Sequence, residues 1–195
     1  MFRTRKNRPL AKTKVFILFC ALFIVFQIQA EPKVISDSDN FEQLRKSAAN
    51  GNAETQFKLG RIYDNGEGVE EDNQKAVEWY RRAAEQGDAN AQNNLGLMYY
   101  NGEGVKEDNQ KAVEWYRRAA EQGDANAQNN LGLMYYNGEG VKEDNQKAVE
   151  WFRKAAEQGD ANAQNNLGLM YDNGEGVEED NQKAVEWYRR AAEQG

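Results

Sequence analysis

Apolar residues recur every three or four positions through most of the chain, most clearly in residues 88–123. In the first half of this stretch they are Ala91, Leu95, Met98 and Tyr99. Such spacing places side chains on one face of an α-helix. The second half has a broader apolar face made of Ala112, Val113, Trp115, Tyr116, Ala119 and Ala120. The pattern predicts two helices, the second with a face wide enough to pack on two neighbours.

Capping and turn-forming residues separate the two helices. Asp88 precedes the first helix and is suited to accept hydrogen bonds from its open amides. Residues 101–104, with the sequence Asn-Gly-Glu-Gly, end that helix because glycine adopts left-handed backbone angles without steric cost. Either Asp108 or Asn109 caps the second helix, and Gly123 closes the unit.

The second helix carries a charged pair on its solvated side and a tryptophan on its apolar side. Glu114 and Arg118 stand four residues apart on the solvated side, in the order that favours an ion pair. Trp115 falls at core spacing, and so do the tryptophans at the same position of the other copies. These tryptophans are interpreted as packing residues.

The two-helix unit is repeated with a period of 36 residues. The copies are residues 52–87, 88–123, 124–159 and 160–195. The two central copies differ only at Tyr116/Phe152 and Arg118/Lys154. Units of this kind bury their apolar faces against each other, so the repetition predicts a solenoid. Residues 45–51 match residues 81–87, so residues 39–51 are interpreted as the second half of a unit and are predicted to form an N-terminal capping helix.

The N-terminus has the pattern of a secretory signal peptide. Residues 1–14 are basic, residues 15–26 are an unbroken apolar run, and Ala30 is a small residue before Glu31. The sequence predicts a signal peptide over residues 1–30 and a linker over residues 31–38. Export to the periplasm or the outside of the cell follows, and an uncleaved inner-membrane anchor is the alternative.

Charge and composition exclude several kinds of chemistry. The net charge of the 195 residues is −7, and without the six basic residues of the first 30 the chain has 19 basic and 32 acidic residues, or −13. This acidity disfavours nucleic acid and, after signal cleavage, anionic membranes. From residue 56 onwards there is no Ser, Thr, Cys, His or Pro, which removes the usual nucleophiles and zinc ligands. No catalytic residue, cofactor or metal is predicted.

The repeated positions share the motif A-x-x-x-L-G-x-x-Y-x-x-G-x-G-V-x-x-D-x-x-K-A-x-x-W-x-x-x-A-A-x-x-G. In this motif the chain resembles the Sel-one-like repeat family, relatives of the tetratricopeptide repeat. The resemblance implies an all-α fold, a right-handed α/α superhelical solenoid with a concave groove lined by the first helices. It also implies a scaffold that binds a protein or peptide, in envelope biology or host interaction. Some members are disulfide-rich and linked to β-lactams, whereas the only cysteine here is Cys20, within the signal segment.

Transferring the tetratricopeptide groove to this sequence gives one stripe on each first helix, distinct from the core stripe. The predicted partner-binding residues are Asn90, Asn93, Leu97, Tyr100, Asn101, Asn126, Asn129, Leu133, Tyr136, Asn137, Asn162, Asn165, Leu169 and Asp172. Asparagine can pair with an extended peptide backbone, and tyrosine adds contact area and a hydroxyl. In the first copy the stripe changes to Glu54, Phe57, Arg61, Asp64 and Asn65. The alternative is that the stripe is ordinary solvated surface.

The sequence is compatible with three functions. Near-identical units favour a non-enzymatic protein-binding scaffold, because catalysis needs unlike groups converging at one place. The enzymatic alternative is a cell-wall carboxylate hydrolase using pairs such as Glu103 and Asp108, or a β-lactam-interacting protein. The third is self-assembly as a homo-oligomer, through a face of the last repeat around Val185, Tyr188 and Ala192.

Overall fold

The computed structural model describes residues 37–194, so the predicted signal peptide and residues 31–36 of the predicted linker lie outside the described residues. Within residues 37–194 the chain forms nine helices and no strand. They are α1 (Asp37–Ala49), α2 (Ala53–Asn65), α3 (Asn73–Glu85), α4 (Ala89–Asn101), α5 (Asn109–Glu121), α6 (Ala125–Asn137), α7 (Asn145–Glu157), α8 (Ala161–Asn173) and α9 (Asn181–Ala192). Helix α1 begins two residues before the predicted capping helix, inside the predicted linker.

The eight helices after α1 form four consecutive pairs, α2–α3, α4–α5, α6–α7 and α8–α9, which we call the first to fourth units. Each helix packs on its partner in the unit, and the second helix also packs on the first helix of the next unit. Helices α3, α5 and α7 therefore have two neighbours, as their broad apolar faces predicted, and the first helices α4, α6 and α8 also have two. The fold is an all-α solenoid of repeated helix pairs.

Aspartates cap both kinds of helix. The Asp88 side chain accepts a hydrogen bond from the Ala91 amide at 2.8 Å, at the start of α4. Asp108 accepts from the Lys111 amide at 3.1 Å, so Asp108 and not Asn109 is the N-cap of α5. The carboxylate satisfies an amide that has no partner within the helix, which is why the helix begins there.

Gly102 and Gly104 have different reasons for being glycine. Gly102 ends α4 with φ +72° and donates its amide to the Met98 carbonyl. Gly104 has φ +67°, and a Cβ on it would overlap the carbonyl oxygen of Asn73 in the preceding unit. In the second, third and fourth units the loop after the first helix therefore lies directly on the preceding unit, where only glycine fits.

The core is a continuous row of buried side chains that crosses every unit boundary. Leu95, Ala112 and Tyr116 are at most 2% exposed. The Tyr116 ring lies against Gly96, where an added Cβ would come within 2.7 Å of two ring carbons. Small and large residues thus interlock between the two helices of a unit, as dense packing requires.

The tryptophans lie at the edge of this core. Trp115 is half-buried and packs against the core, and Arg118 lies over its ring at 4.4 Å from the centroid. Glu114 and Arg118, which both lie among the described residues, do not form the predicted ion pair. The guanidinium is attracted to the negative face of the indole instead, where its stem also covers apolar surface.

Buried glutamines connect neighbouring helices across the unit boundaries. The Gln92 amide of α4 donates to the Ala84 carbonyl near the end of α3 at 3.0 Å, and Gln122 donates to the Gln92 side-chain oxygen at 2.7 Å. The same arrangement joins α1 to α2, where Gln56 donates to the Ala48 carbonyl at 2.9 Å. Each glutamine satisfies a helix-end carbonyl that would otherwise be buried without a partner.

Candidate functional site

The residues predicted to bind a partner form one stripe along α4, α6 and α8, and we call this stripe the first-helix face. The exposed members are Asn90, Leu97, Tyr100, Asn101, Asn126, Asn137, Asn162, Asn165, Leu169 and Asp172. The half-buried members are Asn93, Leu133 and Tyr136, and Asn129 is buried. Four large hydrophobic side chains are exposed in the described residues, and three of them belong to this face. They are Leu97 (41% exposed), Tyr100 (36%) and Leu169 (40%). Exposed apolar surface of this kind is typical of contact sites.

An asparagine ladder holds successive first helices together on this face. Asn130 donates to the Asn93 side-chain oxygen at 3.1 Å, and Asn166 donates to that of Asn129 at 2.9 Å. The amide oxygens of Asn93 and Asn129 are therefore occupied within the protein, while their role toward a partner stays a prediction. Helical spacing carries no signal for Asn130 and Asn166, because the bonds depend on how two units stack.

A shallow pocket opens on the first-helix face between α4 and α6, with a volume of about 100 Å3. We call it the α4–α6 pocket. Its lining residues are Leu97, Tyr100, Tyr116, Asn130, Leu133, Met134, Asn137 and Glu139. Four of these were predicted from the sequence, and Tyr116, Asn130, Met134 and Glu139 were not. The missed residues come from the core stripe, the asparagine ladder and the loop after α6, which meet only once two units are stacked.

Tyr100 and Glu139 form a hydrogen bond across the unit boundary. The Tyr100 hydroxyl donates to Glu139 Oε2 at 3.1 Å, and this bond raises the pKa of the hydroxyl. Tyr136 and Glu175 repeat the arrangement one unit later, where hydrogen bonding to Glu175 is the main cause of the raised Tyr136 pKa. A carboxylate acceptor favours the neutral phenol, so both tyrosines present an uncharged ring beside an acid.

The boundary between the first and second units carries charged residues instead. Arg61 occupies the place of Leu97, and its guanidinium lies 3.6 Å from the Glu67 carboxylate. Asp64 occupies the place of Tyr100 and accepts a hydrogen bond from the Tyr80 hydroxyl at 3.0 Å. Burial raises the Asp64 pKa above its usual range. The first-helix face is therefore charged in the first unit and apolar and aromatic in the second and third units, and the fourth unit has Asp172 at the place of Tyr100.

No cluster of three or more potential metal ligands occurs in the part of the chain that the structure describes. Over the same residues, no helix is both long and apolar enough to cross a membrane.

The repeats match a known family. The family model of the Sel1 repeat fits residues 53–88, 89–124, 125–160 and 161–195, one residue later than the predicted unit boundaries. The chain belongs to the Sel1 repeat family. Proteins built from Sel1 repeats generally mediate protein–protein interactions. No match is found among curated proteins.

Solved structures of other Sel1 repeat proteins have the same fold. A protective antigen present in uropathogenic Escherichia coli strains, with an SLR fold, is 49% identical with a TM-score of 0.77 over 79% of this chain and 33% of its own. A Sel1 repeat protein from Oxalobacter formigenes is 40% identical with a TM-score of 0.75, over 79% of this chain and 63% of its own. Cysteine rich protein B of Helicobacter pylori is 28% identical with a TM-score of 0.50, over 62% and 92%. This chain thus spans less than two thirds of the first two proteins.

Proposed function

We propose that this Sel1 repeat chain is an exported, non-enzymatic scaffold, periplasmic or secreted, whose first-helix face is a concave groove for an extended peptide or protein segment. The signal-peptide pattern of residues 1–30 supports export. The 49% identity to a protective antigen of uropathogenic Escherichia coli supports a role in envelope biology or host interaction.

The α4–α6 pocket is the observation that carries the binding proposal. It is open to solvent beside the exposed side chains of Leu97 and Tyr100, on the face that the repeats present in series. Its apolar wall offers a partner side chain surface to bury, and its polar rim offers hydrogen bonds that set orientation. A row of similar shallow sites suits an extended segment that engages several of them at once.

Photo-crosslinking in living cells tests this proposal. A benzophenone amino acid replaces Leu97 in one variant and Glu114, which is exposed on α5, in the control variant. We expect a crosslinked partner from position 97 and none from position 114. Adding Tyr100→Ala and Tyr136→Ala to the position-97 variant should remove the crosslink without changing the circular dichroism spectrum. A crosslink that survives both substitutions, or arises equally at position 114, contradicts binding at the first-helix face.

Export has its own test. Mass spectrometry of the protein recovered from the periplasm or the culture medium should show a mature chain that begins at Glu31. A full-length chain recovered from the inner membrane would favour the uncleaved anchor.

Self-association through α9 is a second candidate function. Val185 is 55% exposed and Ala192 is exposed, whereas Val149 and Ala156, at the same positions of the third unit, are 3% and 2% exposed. In the third unit these positions are covered by α8. A second copy that covers α9 would give a dimer in sedimentation equilibrium, and Val185→Glu would make it monomeric. Wild-type protein that stays monomeric at high concentration rejects this candidate.

A further inference from the structure

Acidic side chains recur on the first-helix face at the boundaries between the second, third and fourth units. Glu139 lines the α4–α6 pocket, and Glu175 lies beside Tyr136 at the next boundary. Helices α4, α6 and α8 contain no lysine or arginine. The two half-buried carboxylates therefore have no basic residue on these helices to balance their charge.

The carboxylate of Glu175 is incompletely satisfied. Its Oε2 atom is buried and receives no well-formed hydrogen bond from the described residues, although the Tyr136 hydroxyl lies close enough to this carboxylate for the tyrosine pKa to be raised. A buried carboxylate oxygen without a well-formed hydrogen bond is unfavourable, because it has lost water and gained only a weak interaction in exchange. A donor from a partner molecule would remove that cost, and a cationic donor would form the strongest bond.

The apolar wall beside these acids fits the stem of a long basic side chain. Leu97 and Leu133 both line the α4–α6 pocket, with Glu139 on the same lining. A cavity of roughly 150 Å3 holds a benzene molecule, so the pocket, at about 100 Å3, has room for a chain of methylenes. Lysine and arginine cover apolar surface with their stems and keep the charged head at a polar rim.

The first unit provides a precedent within the same chain. Arg61, at the position of Leu97, places its guanidinium on the first-helix face near the Glu67 carboxylate. The loop glutamate of the first unit is thus neutralised by the protein itself. In the later units leucine takes the place of arginine, and the corresponding charge is left to be supplied from outside.

We propose that the first-helix face of the second to fourth units binds a basic, extended segment of a partner protein. Arginine or lysine stems lie against Leu97 and Leu133, and the charged heads bind the carboxylates of Glu139 and Glu175. This inference rests on the proposed function, because it specifies the chemistry of the segment that the same groove binds.

Selection from a library of random displayed peptides tests the inference on the full mature chain. We expect the selected peptides to be enriched in arginine and lysine. Individual peptides should bind about ten-fold more weakly to the variant that combines Glu139→Gln and Glu175→Gln. Glutamine keeps the size of the side chain and can accept the Tyr100 hydrogen bond. The affinity of the wild-type protein should also fall as salt is raised.

A charge-matched control separates this site from the general acidity of the chain. The variant that combines Glu114→Gln and Glu150→Gln loses two exposed acids of the second helices and should bind the same peptides with unchanged affinity. If both double variants lose the same peptide affinity, the effect comes from the net charge of the chain and not from this site. That result would overturn the inference.

Two other outcomes distinguish this inference from the proposed function. Peptides without basic enrichment whose binding is lost on Leu97→Ser would overturn the cationic specificity and leave groove binding intact. Peptides whose binding is unaffected by both Leu97→Ser and the Glu139/Glu175 substitutions would overturn both.

Discussion

The contact between each loop and the preceding unit gives the sharpest stability prediction. A Cβ on Gly104 would overlap the Asn73 carbonyl oxygen and lie 2.9 Å from the Gln74 amide nitrogen. Both atoms belong to the backbone at the start of α3, so no side chain can rotate away. Gly104→Ala should therefore separate the loop from the preceding unit and weaken the stacking of the units.

The matched control is Gly123→Ala. Gly123 has φ +96°, and a Cβ added there would have nothing within 4 Å, so alanine at this position is penalised only for the left-handed backbone. That penalty is about 1–2 kcal/mol. Gly104→Ala carries a similar backbone penalty and, in addition, about 1–3 kcal/mol or more for overpacking. We expect a loss of roughly 2–5 kcal/mol in the free energy of unfolding for Gly104→Ala, against roughly 1–2 kcal/mol for the control.

Urea unfolding followed by both circular dichroism and tryptophan fluorescence measures the difference. Coincident transitions for the two signals would justify a two-state free energy, which repeat proteins do not always allow. If Gly104→Ala is no more destabilising than Gly123→Ala, the close contact between the loop and the preceding unit does not contribute to stability, and the reasoning fails.

Three further predictions concern polar groups. Gln128→Ala should cost about 1–3 kcal/mol in the free energy of unfolding, because it leaves a buried carbonyl without a donor. Gln158→Ala, at an exposed partner of Gln128, should cost about 1 kcal/mol or less in the same urea assay. Burial raises the pKa of Tyr116, so its contribution to stability is complete below the ordinary tyrosine pKa and is lost as pH rises through the folded value. Tyr116→Phe should remove a decrease of about 1.4 kcal/mol per pH unit above about pH 10, with little change at neutral pH, since Phe152 is buried at the same position. The backbone amide that Asp108 caps lowers its pKa, so its stabilisation is present above the ordinary aspartate pKa and lost as pH falls through the folded value. Asp108→Asn should keep the cap and flatten the acid side of the profile of thermal midpoint against pH.

Each of these has a result that would refute it. Equal losses for the two glutamine variants would mean that the buried carbonyl is satisfied by water. An alkaline profile of Tyr116→Phe that matches the wild-type profile would mean that the Tyr116 hydroxyl ionises normally in the folded protein. An acid profile unchanged in Asp108→Asn would place the acid-sensitive groups elsewhere.

Features that depend on neighbours along one helix were predictable. The spacing of Leu95 and Met98 predicted a buried face, and both side chains are buried. Asp88 predicted a helix start, and its side chain caps α4. The choice between Asp108 and Asn109 stayed open, because either residue can act as an N-cap and only the backbone geometry distinguishes them.

Half of the residues that line the α4–α6 pocket were predictable, because helical spacing reveals only neighbours along one helix. Leu97 and Leu133 follow from the helical stripe, but Glu139 comes from a loop and Tyr116 from a core position of a second helix. Their meeting depends on the register between units. Trp115 packs against the core as its spacing predicted, but the spacing does not reveal that the apolar face ends at its ring, where Arg118 lies over it.

The sequence alone determined the period, the two helices of each unit, their caps and the residues that form the core, because these follow from local spacing repeated every 36 residues. The tertiary structure decided what happens between units: the glutamine bridges, the asparagine ladder from Asn93 to Asn130, and the bond from Tyr100 to Glu139. The bonds between two side chains among these contacts join residues 30 to 39 positions apart. Their partners are selected by the rotation and translation from one unit to the next, which no pattern within a single helix records.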